Sequence, residues 1–185
     1  MVRTKQAILE ASLEVFSNKG YSEATTQEIS KKAEVSEMTL FRKFETKKNL
    51  FLEAVEYGLG ISFGKEEDLD MKMPLRDFLR DIMHQKLVMI SKNIHIVRML
   101  IRESLLDSLP EDFEITKLIS SQVTSRVKTY VKYHEVHFNP EIFSEMLVGL
   151  LLRFAVMEKE PSYHLIDKNE QTKYLDEYIK HMILI

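Results

Sequence analysis

The sequence predicts an all-α fold of about nine helices, and three observations carry that prediction. Helix-forming residues dominate, with only 5 Gly and 4 Pro among 185 residues, which disfavours an all-β or a glycine-looped nucleotide-binding architecture. Apolar residues recur at three- and four-residue spacing along most of the chain. Serine, threonine, asparagine and proline stand just ahead of several of those periodic runs, where the first N–H groups of a helix need a side-chain acceptor or no donor at all.

The first helix is predicted over about Thr4 to Lys19, with Ile8, Leu9, Ser12, Leu13 and Phe16 on one stripe and Gly20 as its C-cap. Arg3 and Lys5 stand at its start, as solvated charge or as groups able to reach a phosphate. In the stretch TTQEISKKAEVSEMTLFRKFETKK, Thr25 and Glu28 form a capping box ahead of Ile29 and Ala33, giving a second helix from Thr26 to Ala33. Glu34-Val35-Ser36 interrupts the pattern, and Ser36 caps a third helix, Glu37 to Phe44, in which Leu40 and Phe44 are spaced to pack inward. Two short capped helices joined by a three-residue turn have the geometry that lays the second helix in a DNA major groove. Its outward residues are Glu37, Met38, Thr39, Phe41, Arg42 and Lys43. Arginine pairs bidentately with guanine, lysine meets phosphate, and threonine or phenylalanine can touch a thymine methyl. On composition alone, an amphipathic helix with two snorkelling bases explains the same residues.

The context of the motif is more specific. From Ile8 to Leu50 the chain resembles, in register, the DNA-binding domain of the TetR/AcrR family of bacterial transcriptional regulators. The resemblance runs through ILEASLEVF, Gly20-Tyr21, Ala24-Thr25-Thr26, Ile29, Ala33, Val35-Ser36, Thr39-Leu40-Phe41, Phe44, Lys47 and Leu50. It implies a DNA-binding surface of Thr26, Ser36, Met38, Thr39, Phe41, Arg42, Lys43 and Lys47. Within it, Thr26, Thr39 and Lys47 would contact phosphates, and Met38, Arg42 and Lys43 base edges. Three departures stand out. Glu34 replaces the usual turn glycine, where a left-handed backbone costs a non-glycine residue roughly 1 kcal/mol. Phe41 replaces the usual tyrosine and lacks its hydroxyl. Met38 replaces a small residue at the end of the helix that reads base edges, so an operator sequence does not transfer from relatives.

Beyond the motif, Thr46 caps a fourth helix, KNLFLEAVEYGLGISF, burying Leu50, Phe51, Ala54 and Val55, and GKEEDLDMKM from Gly64 to Met73 reads as a linker. Pro74 opens a helix carrying Leu75, Phe78, Leu79, Ile82, Met83, Leu87 and Ile90 at helical spacing. A sixth runs from about Ile94 to Leu105 and a long seventh from Glu111 to His134. Asn139-Pro140 starts an eighth whose centre, MLVGLLLRFAV, is apolar nearly all round; EKEPSYHLIDKNEQ is irregular; and a ninth runs from Gln171 to Leu184. The expected division is a DNA-binding domain at residues 1–48 and an effector-binding and dimerisation domain at residues 49–185. Residues 1–48 carry 9 basic and 7 acidic residues and the remainder 17 and 22, so the basic surplus falls on the proposed DNA side.

A two-fold partner would bring the last two helices into a four-helix bundle, and a palindromic site needs a two-fold protein. Leu147, Gly149, Leu150, Phe154, Tyr174, Tyr178 and Met182 are the expected homodimer contacts, with packing inside one chain as the alternative. The resemblance further implies a cavity for a small apolar effector, bordered by candidates Phe78, Met83, Met99, Arg102, Phe113, Met146 and Phe154, each of which can equally be plain core. Arg98, Arg153, His84 and His95 are further polar candidates. The implied function is a repressor released from a palindromic operator by that effector; the other reading is a helical protein–protein adaptor without sequence-specific DNA binding. No catalytic constellation stands at a meaningful spacing, and no cofactor is expected. His134 and His137 flank Glu135 at a helix end, an unpromising metal site. The absence of cysteine excludes disulfides and thiolate sites. With no signal sequence and no long apolar run, the chain is expected in the cytoplasm.

Overall fold

The computed structural model describes residues 2–60, 72–111, 113–157 and 161–183, the side chains of residues 2, 3, 115, 118 and 183 excepted. Among these residues it contains nine α-helices and no strand: α1 (Val2–Glu23), α2 (Thr26–Lys32), α3 (Glu37–Phe44), α4 (Lys47–Leu59), α5 (Leu75–Lys92), α6 (Ile94–Leu105), α7 (Ile115–His134), α8 (Pro140–Met157) and α9 (Lys168–Ile183). Most of the expected linker, the last two residues and the side chain of Arg3 lie outside the described residues.

Contacts group the chain into two compact units, Met1–Phe63 with Asn93–Glu114 and Gly64–Lys92 with Ile115–Ile185. In the first, α1 packs against α2, α4 and α6. Ile8, Phe16, Leu50, Phe51, Ala54 and Val55 are wholly buried between these helices, and each large apolar side chain removed from water contributes about 1.5–3 kcal/mol. Phe51 is the hub: its ring meets Phe16 edge-on at 5.0 Å, Tyr21 at 4.9 Å and Phe113 at 5.8 Å. At Gly58 the helices come close, because a Cβ there would lie 2.5 Å from Ile96 Cδ1 and 2.9 Å from Leu13 Cδ1.

α1 does not stop at Lys19 but passes through a kink at Gly20, whose φ of 84° only glycine adopts without strain. The kink accommodates the buried carboxylate of Glu103 on α6, which accepts the Tyr21 N–H at 2.9 Å and the Arg102 Nε–H at 3.1 Å. A Cβ at residue 20 would lie within 2.6 Å of that carboxyl group, so glycine is required twice over, by backbone and by space.

In the second unit, α5 and α7–α9 enclose Phe78, Leu79, Ile82, Met83, Leu87, Val123, Val127, Phe143, Leu147, Leu175 and Ile179. Arg80 ties α5 to α9 through Asp176 at 2.7 Å, and Ser144 Oγ on α8 donates to the Ser120 carbonyl on α7 at 2.9 Å. α7 begins four residues later than expected, after a turn in which the Phe113 N–H bonds the Pro110 carbonyl. α9 begins three residues earlier, because Asp167 caps it by accepting the Asn169 N–H at 2.8 Å. Among its described residues, the stretch expected to be irregular contains one 3-10 turn, Tyr163–Leu165, ahead of α9. It buries Tyr163, whose hydroxyl is 3.2 Å from His84 Nδ1, and burial raises the phenol to about 12.

Candidate nucleic-acid interface

The helix-turn-helix is assembled by its caps. Thr25 Oγ1 accepts the Glu28 N–H at 3.2 Å and Glu28 Oε2 accepts the Thr25 N–H at 3.3 Å, completing the box. Lys19 bonds the same Glu28 carboxylate and, with Thr25, holds it below the usual range. The turn after α2 closes through the Glu34 N–H on the Lys31 carbonyl and the Val35 N–H on the Ser30 carbonyl. Glu34 adopts φ 54° and Glu45, just after α3, φ 63°. α3 is thus bracketed by two glutamates in a backbone region that costs a non-glycine residue about 1 kcal/mol or more.

Ser36 caps α3, its Oγ accepting the Thr39 N–H at 3.2 Å and lying 2.9 Å from Thr39 Oγ1. Leu40 and Phe44 are buried, which fixes the rotation of the helix. Met38 is then 81 % exposed and Phe41 41 % exposed, with Arg42 also exposed and Lys43 half-buried. Met38, Phe41 and Arg42, three and four residues apart, share one outward face. Among the described residues neither Arg42 nor Lys43 has a hydrogen-bond or ion-pair partner. Thr26, at the start of α2, donates its hydroxyl to Glu37 of α3, joining the two helices at the end from which the face projects.

Lys47, the first residue of α4, is already engaged. Its Nζ donates to the Ser22 carbonyl at 3.1 Å and lies 4.7 Å from the centroid of the Tyr21 ring. Partial burial lowers its pKa from the usual lysine value. Lys5 pairs with Glu53 at 2.5 Å and lies over the Phe44 ring. Sequence gave no signal for the Glu103 carboxylate, because its partner Tyr21 is 82 residues away.

The other candidates fall into separate places. Met99, Arg102 and Phe113 belong to the first unit and Phe78, Met83, Met146 and Phe154 to the second. Phe78, Met83 and Met99 are buried, whereas Met146 is exposed. Among the expected dimer contacts, Leu147 is wholly buried in its own unit, because it lies on the opposite side of α8 from Ile142 and Met146, and Leu150 and Met182 are nearly so. Phe154, Tyr174 and Tyr178 form a half-buried cluster with Tyr174 and Tyr178 hydroxyls 3.0 Å apart and Arg153 beside them. The side of α8 that faces outward carries Ile142 (55 % exposed), Met146, Leu152 and Val156 (61 % exposed), and around Gly149 it is open, with nothing within 4 Å of a Cβ built there. His84 and Arg80 line a cleft of about 360 Å³ between α5 and α9. His134 packs against the rings of Tyr130 and Tyr133. Among the described residues no helix is long and apolar enough to cross a membrane.

Residues 8–54 match the family model described as "Bacterial regulatory proteins, tetR family". The chain is 36 % identical over 78 residues to the uncharacterized HTH-type transcriptional regulator YerO of Bacillus subtilis, and 47 % identical over 47 residues to YvkB, described likewise, of the same organism. These alignments cover 40 % and 25 % of this chain but only 27 % and 25 % of the relatives, so the chain spans about a quarter of the curated relatives it matches. Among solved structures, NalD of Pseudomonas aeruginosa, the secondary repressor of the MexAB-OprM multidrug efflux pump, is similar with a TM-score of 0.61 at 19 % identity over 96 % of this chain and 95 % of that one. A bacterial regulatory protein in the tetR family from Rhodococcus RHA1 gives 0.63 at 19 % identity over 97 % and 96 %. At such identities these likenesses establish the all-helical fold, and over residues 8–54 the chain is similar to the helix-turn-helix domain of the tetR family of bacterial regulatory proteins.

Proposed function

We propose that this chain is a sequence-specific DNA-binding transcriptional regulator, a repressor that binds a palindromic operator as a homodimer and leaves it when a small, mostly apolar effector occupies the body. The observation that carries the reading is the outward face of α3, where an exposed arginine with no partner among the described residues stands beside exposed apolar groups. A solvated helix has no need of that combination, whereas a major groove offers guanine edges to Arg42 and phosphates to Lys43 and Thr39. Residues 1–48 act as the DNA-binding domain and residues 49–185 as the effector-binding and dimerisation domain. The homodimer forms through α8 and α9, with Ile142, Met146, Gly149, Leu152 and Val156 supplying exposed apolar surface beside the Phe154, Tyr174 and Tyr178 cluster. A two-fold pair of these surfaces makes a four-helix bundle and sets two recognition helices about one DNA turn, roughly 34–36 Å, apart.

Selection of bound duplexes from a random pool at fixed, near-physiological salt tests the reading. An enriched inverted repeat supports both operator recognition and the two-fold dimer. A folded protein that enriches nothing, after mass spectrometry has excluded a co-purified effector, sinks it.

A further inference from the structure

Resting on the DNA-binding reading above, we propose that Met38 is a specificity residue that reads a thymine C5-methyl group in each half-site of the operator. Met38 is the second residue of α3 and is 81 % exposed, turned away from the inward pair Leu40 and Phe44. It adds nothing to the core. One turn on, Phe41 extends the same apolar surface, and Arg42 sits beside it as the polar reader. The N-terminal part of a recognition helix is the part that meets base edges. In the major groove the thymine methyl is the one alkyl group on an unmodified base edge, set among hydrogen-bond donors and acceptors and flat ring C–H positions.

A methionine seated there gains by covering the methyl. Over guanine or cytosine it would strip water from O6, N7 or N4 and give back at most a weak thioether acceptor. Discrimination therefore comes from both attraction to thymine and a penalty against the alternatives. The unbranched side chain adapts to the exact position of the methyl, so the preference is modest and tolerant of small shifts in docking.

The test uses the full chain and the operator obtained by selection. Each thymine is replaced singly by deoxyuridine, which removes the methyl and leaves the base pair intact. Expected is one position per half-site at which affinity falls about fourfold, the value of one buried methyl group. Met38→Ala should lose affinity on the thymine operator but be indifferent to deoxyuridine at that position, so the two changes do not add. At the same position a 5-methylcytosine–guanine pair should bind the wild type more tightly than a cytosine–guanine pair, and bind Met38→Ala no more tightly, separating the methyl from the hydrogen-bonding edge. Because Met38 is exposed, the variant should retain its circular dichroism and melting temperature. Additive losses, or an enriched operator in which no thymine is coupled to residue 38, overturn this proposal alone. A pool with no enriched sequence overturns it together with the DNA-binding reading.

Discussion

The outward faces of α3 and α8 both expose apolar side chains, and they differ in what surrounds them. On α3, Met38 and Phe41 stand on an eight-residue helix beside Arg42 and Lys43. On α8, Ile142, Met146, Leu152 and Val156 line an eighteen-residue helix whose exposed side is interrupted mainly by Gly149, Glu145 and Arg153. Exposure alone therefore does not name a partner. A short apolar strip flanked by cations suits a polyanion whose grooves carry scattered methyl groups, whereas a long strip with an open glycine suits another helix of the same kind. The first face would recognise; the second would hold.

A charge on the second face should break the contrast most visibly. Met146→Asp places two like charges near the two-fold axis of the proposed bundle, at a cost of several kcal/mol. Sedimentation at micromolar concentration should show a monomer of unchanged helicity, and operator affinity should fall by about a hundredfold or more as the two half-sites separate. A dimer that persists would move the interface elsewhere. Arg42→Ala should come next, with a loss of about 1–3 kcal/mol on the selected operator and a relaxed preference at one base pair, read by repeating the selection with the variant. An equal loss on every sequence would assign Arg42 to phosphate instead. Phe41→Tyr should act in the opposite direction, adding a hydroxyl within reach of the backbone and tightening binding to all duplexes by about 0.5–1.5 kcal/mol. Titrations on specific and random DNA distinguish that uniform gain from a change in specificity. The smallest effect belongs to the turn: Glu34→Gly relieves a φ of 54° but adds freedom to the unfolded chain, so a net stabilisation below about 1 kcal/mol is expected. For a chain of this length that is a rise in Tm of at most about 2–4 °C.

Local chemistry explains what was legible in the sequence. The caps at Thr25, Ser36, Thr46 and Asn139 were readable because each cap is a contact to the residue three positions on. Leu40 and Phe44 fixed the rotation of α3, and with it the outward position of Met38, for the same reason. The start of α9 was hidden because Lys168, Asn169 and Glu170 are polar and the apolar stripe begins only later, leaving Asp167 as the one sign of the cap. On α8 periodicity failed for the opposite reason: when nearly every side is apolar, no pattern separates buried Leu147 from exposed Ile142 and Met146. Glu103, buried against Gly20 and the Tyr21 amide, depends on tertiary contact and is invisible to any short window. So is Tyr163, whose hydroxyl partner His84 is 79 residues distant.

The placement of Lys47 has a consequence for the ions around the DNA. A lysine that binds a phosphate displaces about 0.9 of a condensed counterion, whatever it was touching beforehand. To do so, Lys47 must give up the Ser22 carbonyl and the Tyr21 ring face, and that loss carries no salt dependence. Its contribution is therefore almost wholly the entropy of the released counterions, large in dilute salt and vanishing towards 1 M. Lys47→Met, which keeps the stem, should flatten the plot of log affinity against log salt by about 0.9 while leaving the value extrapolated to 1 M equal or higher. An unchanged slope would mean that Lys47 stays on Ser22 when DNA is bound, a strut between α1 and α4 in both states.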